Sequence, residues 1–168
     1  MDDAAFAALC SPALAGAVRW GLGCVLIAAA LWDLRQLRIP NGLVYVLLAV
    51  FVLMLAPCLP WSVLGLRVLA AGGLLGFGLV AFAYGLFGGG DVKFLAALLL
   101  FVPSGTLVVF ALVMALSLLA SIALILAARR LAPGYSGGWG VLRAQKGRLP
   151  MGLAFGIGGL VFWGLLLG

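Results

Sequence analysis

The sequence predicts an all-α fold: a polytopic membrane helical bundle of six transmembrane helices, forming a single integral-membrane domain over residues 1–168 with no separate soluble domain. Three observations lead there. The chain is 67% hydrophobic and 8% charged, where a soluble domain is roughly half apolar and a quarter charged. Most of its apolar runs approach or exceed the about 20 residues that a helix needs to cross a bilayer. Its basic residues gather in the short polar loops between those runs. That pattern sets orientation in a membrane and offers no folded basic surface for nucleic acid.

The first run covers residues 13–32. It ends in the polar loop Trp32-Asp33-Leu34-Arg35-Gln36-Leu37-Arg38-Ile39-Pro40-Asn41, closed by a Pro-Asn turn signal. The second, 42–56, has about 15 residues, roughly 22 Å of helix, and Pro57 and Pro60 bracket the loop after it. The third, 63–87, carries Gly72, Gly73, Gly76 and Gly78, small residues spaced so that helix backbones approach closely in lipid. The fourth, 92–102, is the shortest, about 11 residues or 17 Å against a hydrocarbon core of about 30 Å. Pro103 breaks it. The fifth, 106–128, is stopped by Arg129 and Arg130. A basic, glycine-rich loop then leads to the sixth, 150–167, with Gly152, Gly156, Gly158 and Gly159 along it. The short second and fourth runs would leave their inner ends about 8–13 Å below the lipid surface, in a recess walled by protein.

Six crossings put loops 33–41, 88–93 and 129–149 on one side. That side holds Arg35, Arg38, Lys93, Arg129, Arg130, Arg143, Lys146 and Arg148, leaving Arg19 and Arg67 for the other. The positive-inside rule makes the basic side cytoplasmic and both termini external.

The chain has four carboxylates and no histidine. Asp2 and Asp3 are terminal. The other two, Asp33 and Asp91, stand at ends of apolar runs on the same predicted face. An acid at membrane depth is costly and marks function. Two acids placed together share a proton, so that one takes a proton from water while the other polarises a carbonyl. The pair thus suits amide hydrolysis without metal or cofactor. Asp91 follows Gly88-Gly89-Gly90, where a glycine turn permits close backbone approach, and it opens a helix whose N-terminus favours negative charge. The alternative for this stretch is a plain turn with an N-cap aspartate; for Asp33 it is a loop acid paired with Arg35 or Arg38. Cys10, Cys24 and Cys58 lack C-x-x-C spacing, which argues against a zinc site or a disulfide framework, and Cys24 reads as a small apolar filler.

At these residues the chain resembles the type IV prepilin peptidases, which carry a Gly-x-Gly-Asp motif. The resemblance lies in Asp33-Leu34-Arg35 with Ile39-Pro40-Asn41 after the first helix, then Gly88-x-Gly90-Asp91-x-Lys93 after the third. It is nearest to the short form serving tight-adherence (Flp-type) pili, whose basic loop and Pro-x-Gly helix are similar to Lys146-Gly147-Arg148-Leu149-Pro150-Met151-Gly152. The resemblance implies an aspartic endopeptidase of the bacterial cytoplasmic membrane, with Asp33 and Asp91 catalytic. Gly88, Gly90, Lys93, Pro40, Asn41, Lys146, Pro150 and Gly152 would support the motif or the substrate. It implies a prepilin or pseudopilin substrate, a short basic leader followed by an apolar helix, cut at the cytoplasmic face among membrane lipids. Larger members add a zinc domain with paired C-x-x-C motifs that methylates the product; this chain carries no such motif, and methyltransferase activity is not expected. Two other readings stay open, a presenilin-type intramembrane protease and a proton-relay transport subunit.

Overall fold

The computed structural model describes residues 12–85, 88–131 and 151–167. Among them are six α-helices and no strand: α1 (Pro12–Gln36), α2 (Asn41–Val50), α3 (Trp61–Ala83), α4 (Gly89–Leu99), α5 (Leu107–Leu131) and α6 (Met151–Leu167). Four helical stretches are long and apolar enough to cross a bilayer: Gly16–Gln36, Asn41–Cys58, Trp61–Ala83 and Ser104–Leu131. The expected six crossings thus resolve into four long helices and two shorter ones, α4 with 11 residues and α6 with 17.

Prolines set most of the boundaries. Pro40 and Pro60 occupy the extended N-cap positions of α2 and α3, where a missing N–H is harmless. The second run is longer than its α-helical part. After Val50 the chain continues through a π-helical turn, Phe51–Leu55, and a 3-10 turn, Ala56–Cys58, before Pro60. This corrects the expectation that it is too short to span: Pro57 enters a 3-10 turn at its start, where it costs no hydrogen bond. The fourth run is short, as its length implied. It is also the interior of the bundle, with Phe94 and Leu98 wholly buried and Val92, Ala96 and Ala97 nearly so.

The helices form two layers. In one, α6 lies between α1 and α5; in the other, α4 lies between α3 and α2; α1 meets α2, and α4 meets α6. Glycines on α6 make the first layer possible. A Cβ at Gly156 would stand 2.7 Å from that of Ala30, and one at Gly159 would stand 2.7 Å from Leu26. Only hydrogen at Gly156 lets the α1 and α6 backbones close together there, while a Cβ at Gly159 would have to displace the Leu26 side chain. The ring stack of Phe94 on Phe155, centroids 6.1 Å apart, ties α4 to α6 and joins the layers.

Expectations for the α3 glycines and for the cysteines are corrected. In α3 only Gly78 is a packing glycine, its Cβ position occupied by Val92; Gly72, Gly73 and Gly76 have nothing within 4 Å. Arg67, counted with the less basic side, is buried and donates from Nη1 to the carbonyl of Leu100 at 3.2 Å. That carbonyl caps the C-terminus of α4, where the helix dipole attracts a cation. Finally, Cys58 is disulfide-bonded and Cys24 is free and exposed. Separation along the chain does not limit distance in space, so spacing alone could not exclude a bridge.

Candidate active site

Asp33 lies inside the last turn of α1, not in the loop beyond it. It is 2% exposed. Its carboxylate faces the start of α6: Oδ2 accepts the backbone N–H of Gly152 at 2.7 Å, and the Leu153 N–H also donates to the group. Asp33 therefore acts as an N-cap for a helix it does not belong to, satisfying donors that a helix start leaves open. Gly152 is required for this. A Cβ there would lie 2.6 Å from the Asp33 Cβ. Gly152, Gly156 and Gly159 face Asp33, Ala30 and Leu26 at matching helical intervals, so one stripe both packs the helices and seats the acid.

Asp91 is the third residue of α4. Gly88 is the N-cap, extended at φ −76° and ψ 134°, and its carbonyl accepts the N–H groups of Asp91 and Val92. The Asp91 carboxylate reaches back to accept the Gly88 N–H, the second half of a capping box. The plain-turn alternative, with Asp91 itself as the cap, is thereby replaced: the cap is Gly88. A Cβ on Gly88 would run into the Asp91 carboxylate, and one on Gly90 would stand 2.8 Å from the carbonyl oxygen of Ile39. A Cβ on Gly89 would make only ordinary contact, 3.4 Å from the Phe82 ring. The third glycine is sterically required by a backbone atom, the first is required only if the Asp91 carboxylate is to keep its place, and the middle one is not required.

The two acids thus arrive from opposite layers at the same end of the bundle, each at the positive end of a helix dipole. The charge of Asp33 acts on Asp91 through space. Beside them is a cleft of about 980 Å³ lined by Gln36, Arg38, Asn41, Gly88, Asp91 and Lys93 among others. Pro40, Gly90 and Met151 also border it; Asp33 does not. On its other side Asp91 borders a smaller apolar pocket of about 240 Å³.

Of the sequence-predicted residues, Asp91, Gly88, Gly90, Lys93, Pro40 and Asn41 gather around the cleft, and Gly152 backs Asp33. Lys146 and Pro150 lie outside the described residues. The sequence reading overlooked the Ile39 carbonyl, brought over Gly90 by the turn at Leu37, a non-glycine residue at φ 54°. Nothing in the residue types signals that turn. It also overlooked Met151, which borders both cavities. Among the described residues no group of three or more potential metal-binding side chains comes together.

Comparison with curated proteins and with solved structures returns no match. The model of one family, the type IV leader peptidase family, matches residues 20–128. The match takes in both acids and the glycine run, and it covers well over half of the 168 residues. Membership indicates a protease, and the apolar helices make it a membrane protein. With its two layers meeting at Asp33 and Asp91, this chain belongs to the type IV leader peptidase family.

Proposed function

We propose that the protein is a two-aspartate endopeptidase that removes the short basic leader from prepilin-like substrates at the cytoplasmic face of the membrane. The observation that carries this is the placement of Asp33 and Asp91. The only two carboxylates among the described residues are delivered by helices of different layers to one site, beside a polar cleft.

The chemistry follows from the pair. The ionised carboxylate removes a proton from water while the protonated one hydrogen-bonds the scissile carbonyl, and hydroxide adds to the carbonyl carbon. The tetrahedral adduct then collapses, the C–N bond breaks, and the leaving amine takes up the proton. Both acids must meet substrate. Asp33, buried and engaged with the α6 backbone, becomes available when the first turn of α6 yields.

Orientation rests on two supports. Arg35, Arg38, Lys93, Arg129 and Arg130 all belong to the end that carries the acids, as cytoplasmic loops do. Cys58, in the 3-10 turn that ends the second span at the end away from the acids, is disulfide-bonded, and disulfides persist in oxidising compartments outside the cytoplasm.

The deciding experiment co-expresses a prepilin with Asp33→Asn or Asp91→Asn protein and follows leader removal by gel shift. Each variant should insert normally and lose processing by on the order of a thousandfold or more. Wild-type processing by either variant would dismiss the dyad.

A further inference from the structure

We propose that the apolar pocket beside Asp91 holds the first apolar residue on the carboxyl side of the scissile bond, and that the substrate's helix reaches it sideways between α3 and α5. This rests on the peptidase reading above.

Two cavities meet at the site, and they differ in chemistry. The cleft carries Gln36, Arg38, Asn41 and Lys93. The pocket is walled by Leu74 and Phe77 of α3, Leu95 of α4, Met114 and Ala115 of α5, and Phe155 of α6. Only Asp91 and Met151 border both. The boundary between polar and apolar surroundings therefore falls at a catalytic acid. A leader substrate has the same change in its own sequence, polar before the cut and apolar after it. With the scissile carbonyl at Asp91, the residues just before the cut fit the cleft beside Gln36 and Asn41, and the apolar part fits the pocket. The leader's basic groups lie away from Arg38 and Lys93, toward the anionic lipid surface. The reverse placement would leave polar groups unpaired.

The pocket also has a way in. α3 packs on α4 and α5 packs on α6, with no extensive contact between α3 and α5. Phe77, on the pocket wall, is 74% exposed. The gap thus faces the lipid, from which an apolar helix would approach. An apolar cavity of about 150 Å³ stays dry and holds a benzene ring; one of about 240 Å³ accommodates a single large aromatic or branched side chain. A second apolar groove, on the other flank of α3, joins the cleft through Asn41, Leu79 and Lys93 but does not touch Asp91. It would not seat the residue next to the cut.

The test uses the full-length protein in membranes and a prepilin series with Phe, Leu, Ala or Glu directly after the cut. The wild type should prefer Phe and Leu over Glu by at least about tenfold in kcat/KM. Ala115→Phe, which fills the pocket, should lower the Phe-to-Ala ratio by about tenfold. Ala120→Phe, exposed elsewhere on the same helix, should leave that ratio within about twofold of wild type. A photoreactive side chain at Phe77 should cross-link an uncleaved prepilin just after the scissile bond, and one at Tyr45, on the other groove, should not. A ratio unmoved by Ala115→Phe, a flat series, or cross-links arising from Tyr45 or to lipid alone would overturn the assignment while leaving the peptidase intact. If the wild type processes no prepilin at all, it is the peptidase reading that fails, and the assignment goes with it.

Discussion

Three consecutive glycines precede Asp91, and they are not equivalent. At Gly90 an added methyl meets the Ile39 carbonyl at 2.8 Å, a backbone atom that cannot swing away. At Gly88 it meets the Asp91 carboxylate, and at Gly89 only the rim of a phenyl ring. Gly89→Ala should therefore process substrate within about twofold of wild type. Gly90→Ala should lose about 1–3 kcal/mol of stability through the shift it forces. Gly88→Ala should insert and melt nearly normally but cleave poorly. Melting in detergent and initial processing rates separate the three. Asp33 is distinguished in a similar way. Asparagine keeps an oxygen for the Gly152 N–H, whereas alanine removes the cap. Both substitutions should end cleavage, but Asp33→Ala should also destabilise by about 1 kcal/mol relative to Asp33→Asn. Equal melting of the two would mean that the bond contributes nothing to holding α6. The acids themselves are legible in the sequence because an apolar chain has so few of them. What each one touches is not: Gly152 lies 119 residues beyond Asp33, and the turn that sets Ile39 over Gly90 depends on a leucine in a conformation leucine rarely takes.

Among the elements, α4 has an acid in its first turn and a guanidinium at its last carbonyls, so both ends of its dipole are compensated. The helix is short and interior, and it cannot rely on lipid-facing length to fix its depth. Arg67→Met would leave the Leu100 carbonyl buried without this donor, at a cost of about 1–3 kcal/mol. Thermal melting should show that loss, with Arg67→Lys recovering part of it. An unchanged melting temperature would mean the bond is incidental. Helix positions are largely readable from apolar runs ended by Pro103 or paired arginines. The burial of Arg67 is not, because the carbonyl that holds it lies 33 residues further along the chain. The glycines of α3 and α6 look alike as letters. Four of the five in α6 meet α1 or α5, whereas four of the five in α3 meet nothing, and only the arrangement of the neighbouring helices tells the two cases apart.

For the molecule as a whole, the testable property is which end faces which compartment. In a Cys24→Ala background, a membrane-impermeant maleimide should label Arg38→Cys only after permeabilisation and Ser62→Cys in intact cells. The opposite pattern would put the acids outside and remove the proposed substrate from reach. The charge distribution is what predicts this orientation from sequence. The two-layer packing is not, since any of several pairings of six apolar helices would satisfy the same hydropathy.

The grip of Asp33 on the first turn of α6 has a consequence for selectivity. At rest, one of the two acids is occupied in holding the scaffold, and the polar cleft reaches only the other. If the proposed chemistry holds, a passing membrane helix that merely brushes the gap meets an incomplete catalyst. Only a guest that binds strongly enough to prise α6 from its latch completes the machinery. The bundle's own architecture would then guard the many other apolar helices sharing that bilayer.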